Sequence, residues 1–266
     1  DNSAPMQNPS FWNKDPVPYS KMMDFAWELN YHSQKPWFSP QQLWDLGHNY
    51  AKNVLYVEDR IFRGFSKGLR WNGKEWRLRP KAKYLVGWTG QNLSLANSML
   101  YSFLRTGDKE DCRMAIDTFE TWANHAKIEN GLIHCLFDYI LGDTEGKEEV
   151  QDACNLSDAA LNFFEAWTLL KENHIDKPGY REAAIGICDF AVRHQLPDGR
   201  FGKSWANDGK TADPNGTIGC CLVVPLIKAY EITGEKKYLE SAEKGYHFYM
   251  DCFRKDGYTS AAALPA

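Results

Sequence analysis

The chain has 266 residues, a formal net charge of −4, and a composition that is 43% hydrophobic and 14% aromatic. A chain of this length and apolar content can bury the core of one large domain. The acidic balance gives no overall nucleic-acid signature, and the lack of an apolar run of about 18 residues predicts no membrane span.

The N-terminal part begins with little hydrophobic periodicity. Residues 1–18 contain four prolines and are predicted to form an extended lead-in. A helix is predicted over 19–32. Ser39-Pro40 predicts the start of a second helix, because serine caps helix N-termini and proline is favoured in the first turn.

Residues 60–83 form a basic segment with nine Lys or Arg residues and the single acid Glu75. Within it, Trp71-Asn72-Gly73-Lys74 predicts a small β-hairpin near 69–78 with a type I′ turn, since Asn-Gly readily adopts positive φ angles. Either this hairpin presents an ordinary solvated face, or its basic and aromatic residues bind a polyanionic polysaccharide. Nucleic acid is the less favoured polyanion, because the rest of the chain is acidic.

The rest of the chain repeats a pattern of helix, short turn, second helix and glycine-containing loop. The loop glycines recur at intervals of about 60 residues, at Gly131, Gly199 and Gly257. A repeat of this kind predicts stacked helical hairpins in one all-α domain over 19–266. The three hairpins are predicted at 88–127, 155–195 and 217–253.

Two long connections, 128–152 and 198–216, lie at the same end of these hairpins. Long connections inside a compact domain are usually functional, so this end is predicted to be the working face. The first connection contains His134, Asp138 and Tyr139. It ends at Asp152, which is either the N-cap of the next helix or a catalytic carboxyl group.

The second connection contains Arg200, Trp205 and Asp208. These residues suit a sugar site, in which Trp stacks on a ring and Arg binds a carboxylate or sulfate. The alternative is a solvated loop built from turn-forming residues. Before the first hairpin, glycines around Trp88 would let a ligand approach closely, with Gln91 beside it; Trp88 is either a stacking platform or a plug.

Cysteine and histidine spacing argues against several other chemistries. The seven cysteines contain no CxxC pair, so neither a disulfide framework nor a zinc site is predicted. No Ser-His-Asp set can be assembled from the sequence. We therefore expect no metal and no cofactor.

The repeats resemble the six-hairpin glycosidase superfamily, whose fold is an (α/α)6 toroid. The resemblance covers about residues 85–258 and is carried by the segments 101–120 and 230–239 and by Gln195-Leu-Pro-Asp-Gly-Arg-Phe-Gly. In more detail, Asp152-Ala-Cys-Asn-Leu is similar to the start of the second inner helix in unsaturated glucuronyl hydrolases and related uronidases, but one residue shorter. Those enzymes also have Asp-Leu-Gly at the first inner helix, where this chain has Trp88-Thr89-Gly90.

The resemblance implies a glycoside hydrolase that acts on an acidic, uronate-containing glycan. Asp152 is then expected to be the general acid and Asp138 the second carboxylate, with Asp208 and Asp213 in reserve. The substrate-binding residues are expected to be Trp88, Gln91, His134, Arg200, Trp205 and Asp208.

Two alternatives stay open. One is a polysaccharide lyase in which Tyr139 and His134 abstract a proton, and the other is a non-catalytic glycan-binding module. Because a closed toroid needs six hairpins, we expect the chain to be a fragment of a protein that continues beyond residue 266.

Overall fold

The computed structural model describes residues 17–31, 37–87, 91–144 and 148–256, with the backbone alone at 17–19, 31 and 256. Two helices come first, α1 (Val17–Tyr31) and α2 (Pro40–Tyr50). Residues 1–16 of the predicted lead-in lie outside the described residues, whereas 17 and 18 are already helical.

A capping box begins α2, as Ser39-Pro40 predicted. The Ser39 hydroxyl accepts the backbone N–H of Gln42 at 3.2 Å, and the Gln42 side chain accepts the backbone N–H of Ser39 at 2.8 Å. Each side chain thus satisfies a backbone donor that the first helical turn leaves without a partner.

Two antiparallel strand pairs follow a π-helical turn at Ala51–Leu55. β1 (Tyr56–Asp59) pairs with β2 (Phe62–Phe65), and β3 (Leu69–Trp71) pairs with β4 (Trp76–Leu78). The β-hairpin predicted near 69–78 is therefore confirmed, but its turn is not type I′, because Gly73 has a positive φ and Asn72 does not. Instead, the Asn72 side chain accepts the N–H groups of Lys74 and Glu75, both at 2.9 Å, and closes a four-residue loop.

Three helical hairpins make up the rest of the described chain. Their helices are α3 (Asn92–Thr106) and α4 (Lys109–His125), α5 (Ala153–Glu172) and α6 (Pro178–Arg193), and α7 (Val223–Thr233) and α8 (Lys236–Asp256). Helices α3, α5 and α7 pack side by side as an inner row, and α4, α6 and α8 form an outer row. This double row of helical hairpins, together with the small β-hairpin, confirms the predicted all-α fold class.

Short-range signals determine the hairpin turns. Gly107 and Gly234 follow α3 and α7 in the left-handed conformation, with φ of 77° and 73°, where a residue without a β-carbon is favoured. Asp108 then caps α4 by accepting the N–H of Glu110 at 2.9 Å, and Pro178 occupies the first turn of α6.

The core lies between the two rows of helices. Phe119 of α4, Phe163 of α5 and Tyr180 of α6 are buried. The ring centroid of Phe119 lies 5.7 Å from that of Phe163 and 5.2 Å from that of Tyr180, and the last two are 6.0 Å apart. Buried aromatic rings at these distances hold neighbouring helices together. Gly131 and Gly186 bring the loop 128–152 close to α6, since a β-carbon at Gly131 would lie 2.5 Å from the Gly186 carbonyl oxygen.

Candidate functional site

The long connections meet at the end of the hairpins where the inner helices begin. Three short strands, β5 (Gln151–Asp152), β6 (Ser204–Trp205) and β7 (Thr211–Asp213), form an antiparallel sheet in that order. The loops 128–152 and 198–216 are therefore hydrogen-bonded to each other through their backbones.

The start of α5 also contacts the segments that lead into α3 and α7. A β-carbon at Gly87, before α3, would lie 2.5 Å from the β-carbon of Asp158. On the other side, the Ser157 hydroxyl donates to the carbonyl oxygen of Cys221 at 2.8 Å. The segments that lead into α3 and α7 thus both contact the start of α5.

Asp152 is the N-cap of α5 and is partly exposed. One of its oxygens accepts the backbone N–H of Asn155 at 3.0 Å, and the other accepts the Asn155 side-chain amide at 2.5 Å. Asn155 therefore orients both oxygens, and each oxygen keeps a lone pair for a further partner. The cap role that the sequence offered for Asp152 is present, and it leaves the carboxyl group accessible.

Asp158 is a second carboxylate at the same place. It is partly exposed and lies four residues after Cys154, which puts the two side chains on one face of α5. The pKa of the Cys154 thiol is raised, first by its hydrogen bond with Cys221 and then by burial, and the negative charges of Asp158 and Asp152 add to the effect. Both carboxylates therefore lie at the start of α5, within electrostatic range of the Cys154 thiol.

His134 belongs to a separate polar cluster that joins the two loops. Its Nδ1 lies 2.7 Å from Oε1 of Glu149, and Oε2 of Glu149 accepts the side-chain amide of Asn207 at 2.8 Å. The Gln151 amide donates to the Asn207 carbonyl oxygen at 2.8 Å. Burial opposes ionisation of Glu149, but the hydrogen bonds from His134, Asn207 and Gln151 outweigh burial and lower its pKa.

Asp138 is not accessible, which corrects the prediction that it is a catalytic residue. It is 1% exposed. Its oxygens accept the backbone N–H groups of Lys83 and Tyr84 at 3.0 and 2.9 Å. A carboxylate held in this way cannot contact a substrate unless the segment that it holds is displaced.

The prediction that the loop 198–216 forms a sugar site is also corrected. Trp205 is fully buried and packs edge-on against Phe190, with ring centroids 5.5 Å apart, so it cannot stack on a sugar. Arg200 pairs with Asp198 at 3.1 Å. Asp208 and Lys210 form an ion pair of 2.9 Å in an exposed turn. These contacts are those of the turn-forming alternative.

The remaining predicted residues lie before α3. Trp88 is outside the described residues, and Gln91 occupies the N-cap position of α3 without a capping hydrogen bond from its side chain.

Sequence reasoning missed Asp158, Glu149 and Asn207. The spacing of four residues from Cys154 was an available signal for Asp158. Glu149 and Asn207 are 58 residues apart and meet only because the two loops pair.

Neither a metal centre nor a membrane helix is found in the described part of the chain. Within residues 17–31, 37–87, 91–144 and 148–256, no group of three or more His, Cys, Asp or Glu side chains is arranged to hold a metal ion. Over the same ranges, no helix combines the length and the apolar character that crossing a membrane requires.

The sequence matches no family model and no curated protein, but the fold is similar to that of several solved structures. Cellobiose 2-epimerase from Bacillus thermoamylovorans B4167 aligns with a TM-score of 0.61 and 14% identity, over 80% of this chain and 55% of that chain. A GH76 α-mannanase from Bacteroides thetaiotaomicron aligns with a TM-score of 0.51 and 14% identity, over 76% of this chain and 52% of that chain. A polysaccharide lyase aligns with a TM-score of 0.51 and 16% identity, over 65% of this chain and 52% of that chain.

These likenesses are at the level of the fold. The chain shares the stacked helical hairpins of these structures, as the repeats predicted. It spans about half the length of the structures that it matches.

Proposed function

We propose that the chain is a glycan-processing enzyme and, more specifically, a glycoside hydrolase acting on an acidic, uronate-containing glycan. The observation that carries the proposal is the presence of two partly exposed carboxylate residues, Asp152 and Asp158, at the start of α5. The names of the structures with the same fold all denote sugar chemistry: a mannanase, an epimerase and a polysaccharide lyase. That likeness supports the general class, and the reacting groups are inferred from the geometry of this chain.

Asp152 is the proposed general acid. It protonates the glycosidic oxygen as the bond from that oxygen to the anomeric carbon breaks, and the second carboxylate activates water or attacks the anomeric carbon. We assign the second role to Asp158 in place of Asp138, because Asp158 is partly exposed and lies six residues after Asp152 at the start of α5. Asn155 holds Asp152 in one orientation, as a positioned proton donor requires.

A basic side chain next to the start of α5 supports the proposal that the substrate contains a uronate. The carbonyl oxygen of Lys203 accepts the N–H of Ala153 at 2.9 Å, which puts Lys203 next to Asp152 in the sheet. The Lys203 side chain is partly exposed, and its ammonium nitrogen lies 3.1 Å from Oδ2 of Asp213. A substrate carboxylate would share this ammonium group with Asp213.

The substitution Asp152→Asn tests the proposal on a panel of aryl glycosides and uronate oligosaccharides. Asn caps a helix about as well as Asp, so α5 keeps its cap while the proton donor is lost. We expect turnover to fall about 10²–10⁴-fold. The matched control is Asp176→Asn, an exposed carboxylate in the short turn before α6.

Each other outcome has a definite meaning. Full activity of Asp152→Asn would show that a different group is the acid. A wild-type protein that binds glycans but cleaves none would favour the non-catalytic binding module.

A polysaccharide lyase is the second candidate, and the His134–Glu149 pair favours it. An imidazole oriented by a carboxylate is a common general base, and here it would abstract the proton next to a uronate carboxylate. Tyr139, the other predicted base, is less suited, because burial and the charge of Glu149 raise its pKa. A lyase leaves a carbon–carbon double bond that absorbs ultraviolet light, so appearance of that absorbance, and its loss in His134→Gln, would replace the hydrolase with the lyase.

A further inference from the structure

The ribbon formed by β3 and β4 (residues 69–78) has an exposed aromatic face. Its register pairs Trp71 with Trp76, and the ring centroids lie 5.7 Å apart with an angle of 57° between the planes. The two residues are 49% and 64% exposed. Large aromatic side chains that are adjacent and exposed are typical of a binding surface.

The ribbon and the residue after it also carry uncompensated positive charge. Arg70 and Arg77 are direct cross-strand partners, and like charges in that position destabilise a strand pair. Glu75 binds Arg77, with Oε1 2.9 Å from Nε. Within the part of the chain that the structure describes, the ion pair of the ribbon joins Arg77 to Glu75, whereas Arg70, Lys74 and Arg79 have no ion-pair partner. An anionic ligand would therefore relieve the repulsion.

A short segment of chain connects the base of the ribbon to the candidate site. Two hydrogen bonds close its base, from the N–H of Lys67 to the Lys83 carbonyl oxygen at 2.7 Å and from the N–H of Arg79 to the Gly68 carbonyl oxygen at 3.2 Å. The chain then runs from Lys83 to Gly87, which abuts Asp158. The base of the ribbon is thus four residues along the chain from the segment that contacts α5, and we propose that an extended ligand spans this interval.

We propose that the ribbon binds an anionic polysaccharide, with sugar rings on Trp71 and Trp76 and acidic substituents against Arg70, Lys74 and Arg79. The aromatic pair favours a sugar polymer over other polyanions, since an apolar ring face stacks on an indole. A ribbon of two strands is narrow, because paired strands are only about 4.8 Å apart. Long basic side chains can therefore extend past its edge and contact a ligand that lies on the aromatic face. The proposal rests on the proposed function, because it assigns to the ribbon the part of an acidic polymer that extends beyond the reacting carboxyl groups.

Binding measurements with defined polymers test this proposal. The probes are polygalacturonate, which is carboxylated, dextran sulfate, neutral dextran and single-stranded oligothymidylate, each titrated at low and high salt. All measurements use the Asp152→Asn background, so that cleavage does not disturb binding. We expect tight binding of polygalacturonate or dextran sulfate, the comparison showing which acidic group is preferred, and weak binding of neutral dextran.

The double variant Trp71→Ala/Trp76→Ala should bind the acidic polymer at least about tenfold more weakly, equivalent to about 1.4 kcal/mol. Arg70→Gln/Arg79→Gln should weaken binding and also reduce its salt dependence, because fewer charges are screened. The matched controls are Trp37→Ala, which removes a tryptophan that is 91% exposed outside the ribbon, and Lys109→Gln at the exposed start of α4. Circular dichroism establishes that each variant is folded.

The proposal is overturned if the folded ribbon variants bind like the controls. It is also overturned if oligothymidylate binds as tightly as the acidic polysaccharides with the same dependence on the ribbon, which would make the ribbon a nucleic-acid surface. Failure of the proposed function is a separate result, because a protein that binds acidic polysaccharide through the ribbon but cleaves none would reject the hydrolase and leave the ribbon assignment intact.

Discussion

Replacing Asp138 with alanine should destabilise the fold rather than remove a reacting group. The substitution leaves the N–H groups of Lys83 and Tyr84 without acceptors at a position that is 1% exposed. Each unsatisfied buried donor costs about 1–3 kcal/mol, so the pair costs about 2–6 kcal/mol. In a chain of this size, that loss lowers the Tm by roughly 5–20 °C. Asp138→Asn keeps one acceptor oxygen, so its stability should lie about midway between those of wild type and Asp138→Ala.

Urea unfolding followed by tryptophan fluorescence, together with thermal circular dichroism, measures these changes. Asp176→Ala, in an exposed turn, is the control and should stay within about 0.5 kcal/mol of wild type. A variant Asp138→Ala that unfolds at the wild-type midpoint but no longer turns over glycans would show that Asp138 reacts after all. The structural role assigned to it would then be refuted.

Two further predictions concern the loop 128–152. The pKa of Glu149 is lowered from an ordinary value of 4.5, so its contribution to stability is present above that pH and is lost as the pH falls through the folded-state pKa. The difference in unfolding free energy between wild type and Glu149→Gln should therefore shrink on acidification, and a difference that does not vary with pH would contradict this account. Gly131→Ala should cost clearly more than Gly234→Ala, since both positions have positive φ but only a β-carbon at Gly131 meets an atom within 4 Å, the Gly186 carbonyl oxygen at 2.5 Å. The control should lose about 1–2 kcal/mol, and equal losses in chemical denaturation would refute the close-approach argument.

The sequence by itself was sufficient to predict the structural features that depend on neighbouring residues. Ser39 with Pro40, Asp108 and the left-handed glycines Gly107 and Gly234 mark helix ends, because capping and glycine preferences act over a few residues. The recurrence of hairpins at about 60 residues then predicted the stacked all-α fold. Asn72-Gly73 likewise located the β-hairpin, although the Asn72 side chain decided the turn type by binding two backbone N–H groups.

Only the tertiary structure decided which polar residues of the loops are accessible. Asp138 and Trp205 looked like site residues in the sequence, yet one binds the backbone of a segment 54 residues away and the other fills the space beside Phe190. Glu149 and Asn207 became partners through the pairing of β5 with β6, and Asp158 is partly exposed, like Asp152, at the start of α5. Burial and long-range hydrogen bonding depend on which distant segments are brought together, and residue type and local spacing do not contain that information.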